Sequence, residues 1–356
     1  MRRAAAFSLF LLLVAMTYGS TSGTFASGLA NAALGLRAAV SEEHRKKLQF
    51  EFEDAERKDW SNLPDGMYPR KGLSLGQMND GGRSAAHQLL RASLSSQGYL
   101  KAAAIIRRDD YLLRTAGPAI GGRPITEFFG AGHYYLGLFG DPGPEARWGW
   151  QFDGHHLALN FTVVKGVVTG TPALWGAEPD QIPTGDEAGW RVFGAEREKG
   201  FAVMNSLNEK QKAKALLSAT LPAGIFTGPK RDKALQRIEG LSTVLMTAAQ
   251  KKLLWELIDE YLNNQAVPIA EAHRQKILKD RFENVHFAWM GSIEANQPVY
   301  FRVHGPSILI EYDNAGRGRD QRDPNHIHSI YRDPSNDYGE DLLKRHYQSS
   351  PHGAEK

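Results

Sequence analysis

No cysteine occurs anywhere in the 356 residues. Disulfides, thiolate nucleophiles, cysteine-ligated metals and lipid attachment through an N-terminal cysteine are therefore excluded. Also missing are HExxH, GxSxG, the P-loop pattern and any acidic cluster with EF-hand spacing, so the common zinc-protease, serine-hydrolase, nucleotide and calcium signatures are absent. An excess of charge of either sign is lacking too, with 43 Lys+Arg against 40 Asp+Glu. Two of those cations, Arg2 and Arg3, lie at the extreme N-terminus. Without them the balance is close to neutral, and no nucleic-acid partner is expected.

What is present begins with that N-terminus. Two arginines precede an apolar run from Ala4 to Met16, followed by small and polar residues. This is the layout of a secretory signal peptide, assigned to residues 1–26, and the run is short for a membrane span. Export to the periplasm or the extracellular space is the expectation, with no stable membrane insertion after processing and a mature start between about residues 20 and 32. The remaining roughly 330 residues exceed the usual size of one domain.

Along the chain, Ser41 followed by Glu42 and Glu43 marks a helix start. Apolar residues at helical spacing predict helices from Asn79 or Asp80, from Ser95 or Ser96 to Tyr111, from Thr247 to Leu262 and from Pro268 to Leu278. A capping-box phrase opens another at Ser206 to Glu209, and residues 174–189 read as loop. Alternating aromatic and apolar residues predict hairpins at 133–164 and 285–313, with a returning strand across 167–176. Segments 134–162 and 285–313, whose numbering differs by 151, superimpose without a gap, Gly140 meeting Gly291 and Gly154 meeting Gly305. Each is preceded by a helix pair. The expected fold is α+β: a duplicated unit of helix pair plus antiparallel hairpin in a pseudo-two-fold arrangement, with halves at 38–200 and 201–348 and a disordered tail at 349–356.

The stretch 284–333 holds four of the twelve histidines, His286, His304, His326 and His328. In a strand, His326 and His328 point to one face and can reach one ion, while Ile327 turns to the core. Imidazole suits zinc, copper and iron. The adjacent pair His155-His156 would diverge in a regular strand, so both reach one site only if Asp153-Gly154 turns the chain; otherwise one is a ligand and the other a contact. His286 is a further candidate. Glu311 and Asp313 share a strand face and could serve as base or extra ligand, and Trp148, Trp150, Trp289, Tyr331, Arg302 and Arg332 are candidate pocket residues. Each histidine has a plainer alternative as a hydrogen-bonded core or surface residue, and the charged stretch 315–323 reads as a solvated loop.

The phrases FEFEDAERKDW, RKGLSLGQM, WGWQFDGHHLALNFT, HFAWMGS, PVYFRVHGPSILIEYDN and NHIHSIYRDPSNDYGEDLLKRHY occur in one order across 38–348. In these the chain resembles a widespread family of bacterial and fungal proteins known only as a domain of unknown function. The resemblance implies membership and supplies no site roles. His155, His156, His286, His326 and His328 match the family's histidine phrases, whereas His44, His273 and His304 fall outside them.

Three functions remain open. The first is an exported enzyme, hydrolytic if the metal is zinc, with one divalent transition metal (zinc foremost, copper or iron as alternatives) acting on a small molecule. The second is a non-catalytic binder of a metal, haem or small ligand. The third is a structural or partner-binding protein whose histidines are only hydrogen-bonded.

Overall fold

The computed structural model describes residues 23–314 and 324–349. Its helices are α1 over 23–39, α2 Glu42–Leu48, α3 Asp80–Ser93, α4 Ser96–Thr115, α5 Gly194–Ser206, α6 Glu209–Ala215, α7 Ala248–Leu262, α8 Val267–Lys279 and α9 Glu340–Ser349. Their starts follow local chemistry. The side chains of Asn79, Ser95, Asn208 and Thr247 accept from backbone N–H groups of the first turns of α3, α4, α6 and α7, satisfying donors that have no intrahelical partner. α1 buries Ala26, Leu29, Ala30, Ala33 and Leu36, a single helical stripe, in the core.

The loop expected over 174–189 is corrected at its start, since Ala173–Ala177 is a strand; α5, which follows that loop, has no sequence signal of its own. Its buried face includes Glu196 and Gly200, which break the apolar stripe. Glu196 is there to pair with buried Lys101 of α4. Gly200 is there because an added Cβ would lie 2.5 Å from the Phe301 ring.

The eight longer strands are β1 Tyr135–Phe139, β2 Trp148–Gly154, β3 Leu157–Val164, β4 Ala173–Ala177, β5 His286–Gly291, β6 Val299–Gly305, β7 Ile308–Asp313 and β8 Ile327–Arg332. They lie in the order β1-β2-β3-β4-β8-β7-β6-β5, each antiparallel to its neighbour. Short strands complete a 13-stranded sheet. Gln49–Phe50 and Leu216–Ser218 run parallel to β1 and β5 respectively, so the sheet is mixed. The fold is thus α+β, as expected. The predicted return strand across 167–176 is divided into Val167–Thr169 and β4.

Every residue of β2, β3, β6 and β7 is buried, so both sheet faces are covered. Alternation then decides which cover each side chain meets. Leu157, Leu159, Phe161, Ile308, Ile310, Tyr312, Ile327 and Tyr331 join the main, helix-covered core. On the other face Ala158, Leu174 and Ile330 meet Trp60 and Ile225, which come from loops, and Tyr338 from the short 3-10 helix Asp337–Gly339. Two loops, around 59–70 and 220–231, therefore roof a sheet face that also carries His328, Glu311 and Asp313.

Candidate metal centre

Gly154 pairs with Leu157, so His155 and His156 are themselves the two-residue turn between β2 and β3. That differs from the expected turn at Asp153-Gly154, and it leaves the two rings stacked, their centroids 3.9 Å apart. His156 sits at φ 62, a left-handed conformation that costs a non-glycine residue about 1–3 kcal/mol. The turn is fixed by Tyr134, whose hydroxyl donates to the His155 carbonyl at 2.9 Å. A Cβ on Gly154 would fall 2.3 Å from the Tyr134 ring, so glycine is needed for that ring to pack. His155 Nδ1 lies 2.6 Å from Asp109 Oδ1 on α4. Burial raises the Asp109 carboxyl above its ordinary value, opposed by His155 beside it.

His156 reaches on toward β8. Its Nε2 is 2.8 Å from His326 Nε2 and 3.2 Å from His328 Nε2, and the last two are 3.3 Å apart. Three nitrogens bound at about 2.0–2.1 Å to a tetrahedral zinc are about 3.3 Å apart. Three mutually close imidazole nitrogens cannot all satisfy one another, because each N···N line carries at most one proton; a Lewis acid between them accepts all three lone pairs. Burial, reinforced by the neighbouring histidines, pushes the His156 imidazole well below its ordinary value, which favours the neutral, ligating form.

Two pairings assemble the triad. His328 is opposite Gly176 of β4, where a Cβ would lie 3.0 Å from the His156 ring. Ile327 is opposite Ala177, so Glu178, just beyond β4, stands beside His326, its Oε1 3.5 Å from Nδ1. His156, His326 and His328 form one donor group that could hold a metal, and His155, His156 and Glu178 form another. A pocket of about 990 Å³ opens in front of them. Its wall includes Asn62, Leu63, Pro64 and Met67 from one roof loop, residues 220–224 and Arg231 from the other, and Phe129 and Asp313.

The loops are held from the sheet. Arg70 donates to the carbonyls of Ser61 and Leu63 and lies 3.1 Å from buried Asp153. Glu311 is fully buried and accepts from Phe226 N at 2.7 Å, Thr227 N at 2.8 Å, the Thr227 hydroxyl and the Tyr300 hydroxyl at 2.7 Å. Arg332 donates twice to the Thr227 carbonyl and once to Asp337.

Of the residues singled out in the sequence, His155, His156, His326, His328 and Asp313 line this pocket. Glu311 does not meet a histidine; both of its oxygens fasten the 225–227 loop. Arg332 shares that task, and Arg302 pairs with Glu239 at 2.7 Å. Trp148 donates to Gly143 O, Trp150 stacks on Phe161, and Trp289 stacks on Phe301, all within the core. Their alternation faces the helices, because a sheet covered on both sides sends aromatics inward on each. Tyr331 contacts His273 in the core. His286 opens β5, three strands from β8, with Nδ1 3.2 Å from Asn284 O. Asp109, which pairs with His155, and Glu178 and Arg231, which line the pocket, were missed, since each comes to the site from far away in sequence.

His304, opposite His286, is buried and pushed down to about 4 by burial first and then by Arg302. Unfolded, it takes up a proton near its ordinary 6.5 that the folded form refuses until about 4. Its share of stability is therefore complete above 6.5 and lost as pH falls toward 4. Thermal melts from pH 7 to 4 should show a shallower decline for His304→Gln than for the native protein; parallel curves would contradict this.

A mixed α+β protein with a three-histidine donor group, His156 buried and His326 and His328 half-buried, is the class these features define. The chain belongs to the DUF3500 family of proteins of unknown function, the match covering residues 22–340. No curated protein and no solved structure matches it.

Proposed function

We propose that this protein is an exported metal-dependent hydrolase in which His156, His326 and His328 hold one divalent transition metal, zinc before copper or iron. The observation that carries the reading is the approach of three Nε2 atoms to within 2.8–3.3 Å of one another. A closed site would serve storage or structure; the pocket in front of the triad leaves room for water and substrate, which favours catalysis over a non-catalytic carrier. The metal would lower the pKa of its bound water toward neutrality. Glu178, whose Oε1 lies 3.5 Å from His326 Nδ1, would take that proton as the water oxygen bonds to the substrate carbonyl carbon, then return it to the leaving group as the old bond breaks. Glu178→Gln should retain the metal and lose hydrolysis of the substrate; retention of both activity and metal would remove Glu178 from this role.

Export rests on Arg2, Arg3 and the apolar run, of which 1–22 lie outside the described residues. Among the described residues no helix is long and apolar enough to cross a membrane. Because α1 buries Ala26 in the core, the mature chain should start at or before that residue, within about 20–26. N-terminal sequencing of secreted protein checks it, and an intact Met1 on soluble protein would contradict it.

The proposal extends to an internal duplication. β1, β2 and β3 begin at 135, 148 and 157, and β5, β6 and β7 at 286, 299 and 308. Both sets carry the same short parallel and antiparallel strands at their outer edge. The metal site would then lie where the two units join, at the β4–β8 pair. In an experimental structure 134–162 should superpose on 285–313 with the preceding helices in like positions; a different helix order would rule the duplication out.

A further inference from the structure

The roof loop at 220–231 lacks regular structure beyond its ends, yet its middle is one of the most firmly held points of the molecule. Glu311 and Arg332, on adjacent strands, together take up the N–H, hydroxyl and carbonyl of Thr227. Pocket-lining residues flank this anchor on both sides, Leu221 and Pro222 before it and Arg231 after it. Arg231 is itself placed by a turn, its N–H donating to Gly228 O at 3.1 Å, and by its Nη2 donating to Ile225 O at 2.8 Å. The second bond alone uses the guanidinium, through Nη2, and leaves the rest of the fork for the pocket that Arg231 lines.

Charge makes this cation unusual. Its neighbour Lys230 pairs with Asp59, and Arg70, Arg302 and Arg332 all face carboxylates. Among the described residues Arg231 faces none within ion-pair distance, although it lines the same cavity as the histidines. Of the pocket carboxylates, Glu178 stands beside His326, and Asp313 is in register with His328, its Oδ2 3.8 Å from where a Cβ on Gly224 would lie. The wall of the same pocket also offers Leu63, Met67, Phe129 and Leu221. A guanidinium held on a fixed loop, in one pocket with apolar side chains and the three histidines, fits a molecule with a planar anionic group at one end.

We propose that the substrate of this pocket is a small molecule with an apolar body and a carboxylate, the carboxylate received by Arg231 while the opposite end of the molecule lies at the three histidines. The proposal rests on the metal-centre reading for the orientation of the substrate, and its test separates the two. Zinc-loaded full-length protein is titrated calorimetrically with 4-phenylbutyrate and with its neutral amide, alongside Arg231→Gln and Arg231→Lys, with zinc content measured for each. Arg231 is exposed, so both variants should fold and keep their zinc. The expected result is a carboxylate preference of at least about tenfold in the native protein, lost in Arg231→Gln and partly kept in Arg231→Lys. Equal binding of acid and amide by the native protein overturns the proposal. So does a preference that survives Arg231→Gln and disappears when zinc is removed, because the carboxylate is then a metal ligand. Absence of zinc from the native protein would instead strike the metal centre, while an Arg231-dependent preference in that zinc-free protein would leave carboxylate recognition standing.

Discussion

Alanine in place of His156, His326 or His328 should weaken zinc binding by more than about a hundredfold in each case. Partners that merely orient a metal-bound histidine cost about 10–100-fold when removed, and loss of a donor atom exceeds that. The three effects should not add, because a site left with two donors has already lost its geometry. His156 is the most informative of the three. It comes from the β2–β3 turn, whereas His326 and His328 belong to β8, so its effect reports the β4–β8 junction as well as the ligand. His286→Ala and His44→Ala should leave zinc binding unchanged. Competition against a chromophoric chelator measures all of these, with near-ultraviolet circular dichroism as the check on folding. Native affinity in His156→Ala would contradict the site.

Glu311→Ala should be the most destabilising single change on the loop-covered face, by about 3 kcal/mol or more. The carboxylate is fully buried and accepts from two backbone N–H groups and two hydroxyls. Its removal leaves those donors without a partner in a space too buried for easy hydration, at about 1–3 kcal/mol each. Glutamine is no remedy, since its amide NH₂ would face a peptide N–H of the 226–227 backbone, donor against donor. Denaturant unfolding should therefore show a lower midpoint for both variants, with zinc stoichiometry retained below the transition. A change under about 0.5 kcal/mol would mean that the 220–231 loop is not fastened at Thr227.

Much of the secondary structure could be read from local chemistry. Asn79, Ser95 and Thr247 mark the helix starts because a capping side chain acts within three residues of itself. The aromatic alternation located the hairpins for the same reason: period two is a local property. The His326-Ile327-His328 spacing likewise put two imidazoles on one face. What the sequence could not reveal was pairing over long separations. Glu178 meets His326 only because Ala177 is opposite Ile327, and Asp109 meets His155 only because α4 crosses the β2–β3 turn. Glu311 was placed on the right sheet face, yet its partner proved to be the loop at 225–227, whose course no periodicity announces. The tryptophans failed as pocket residues because alternation names a face without saying what covers it. α5 escaped notice because a buried ion pair and a close ring contact displaced apolar residues from its inner face.

The most direct test of the central claim is metal analysis of full-length protein purified without an affinity tag, combined with X-ray absorption at the edge of whichever metal is found. The account predicts about one divalent transition metal per chain, with three nitrogen donors at about 2.0–2.1 Å if it is zinc and a further oxygen donor at the open position. Protein that stays metal-free after equilibration with a modest excess of zinc, while correctly folded, would contradict it.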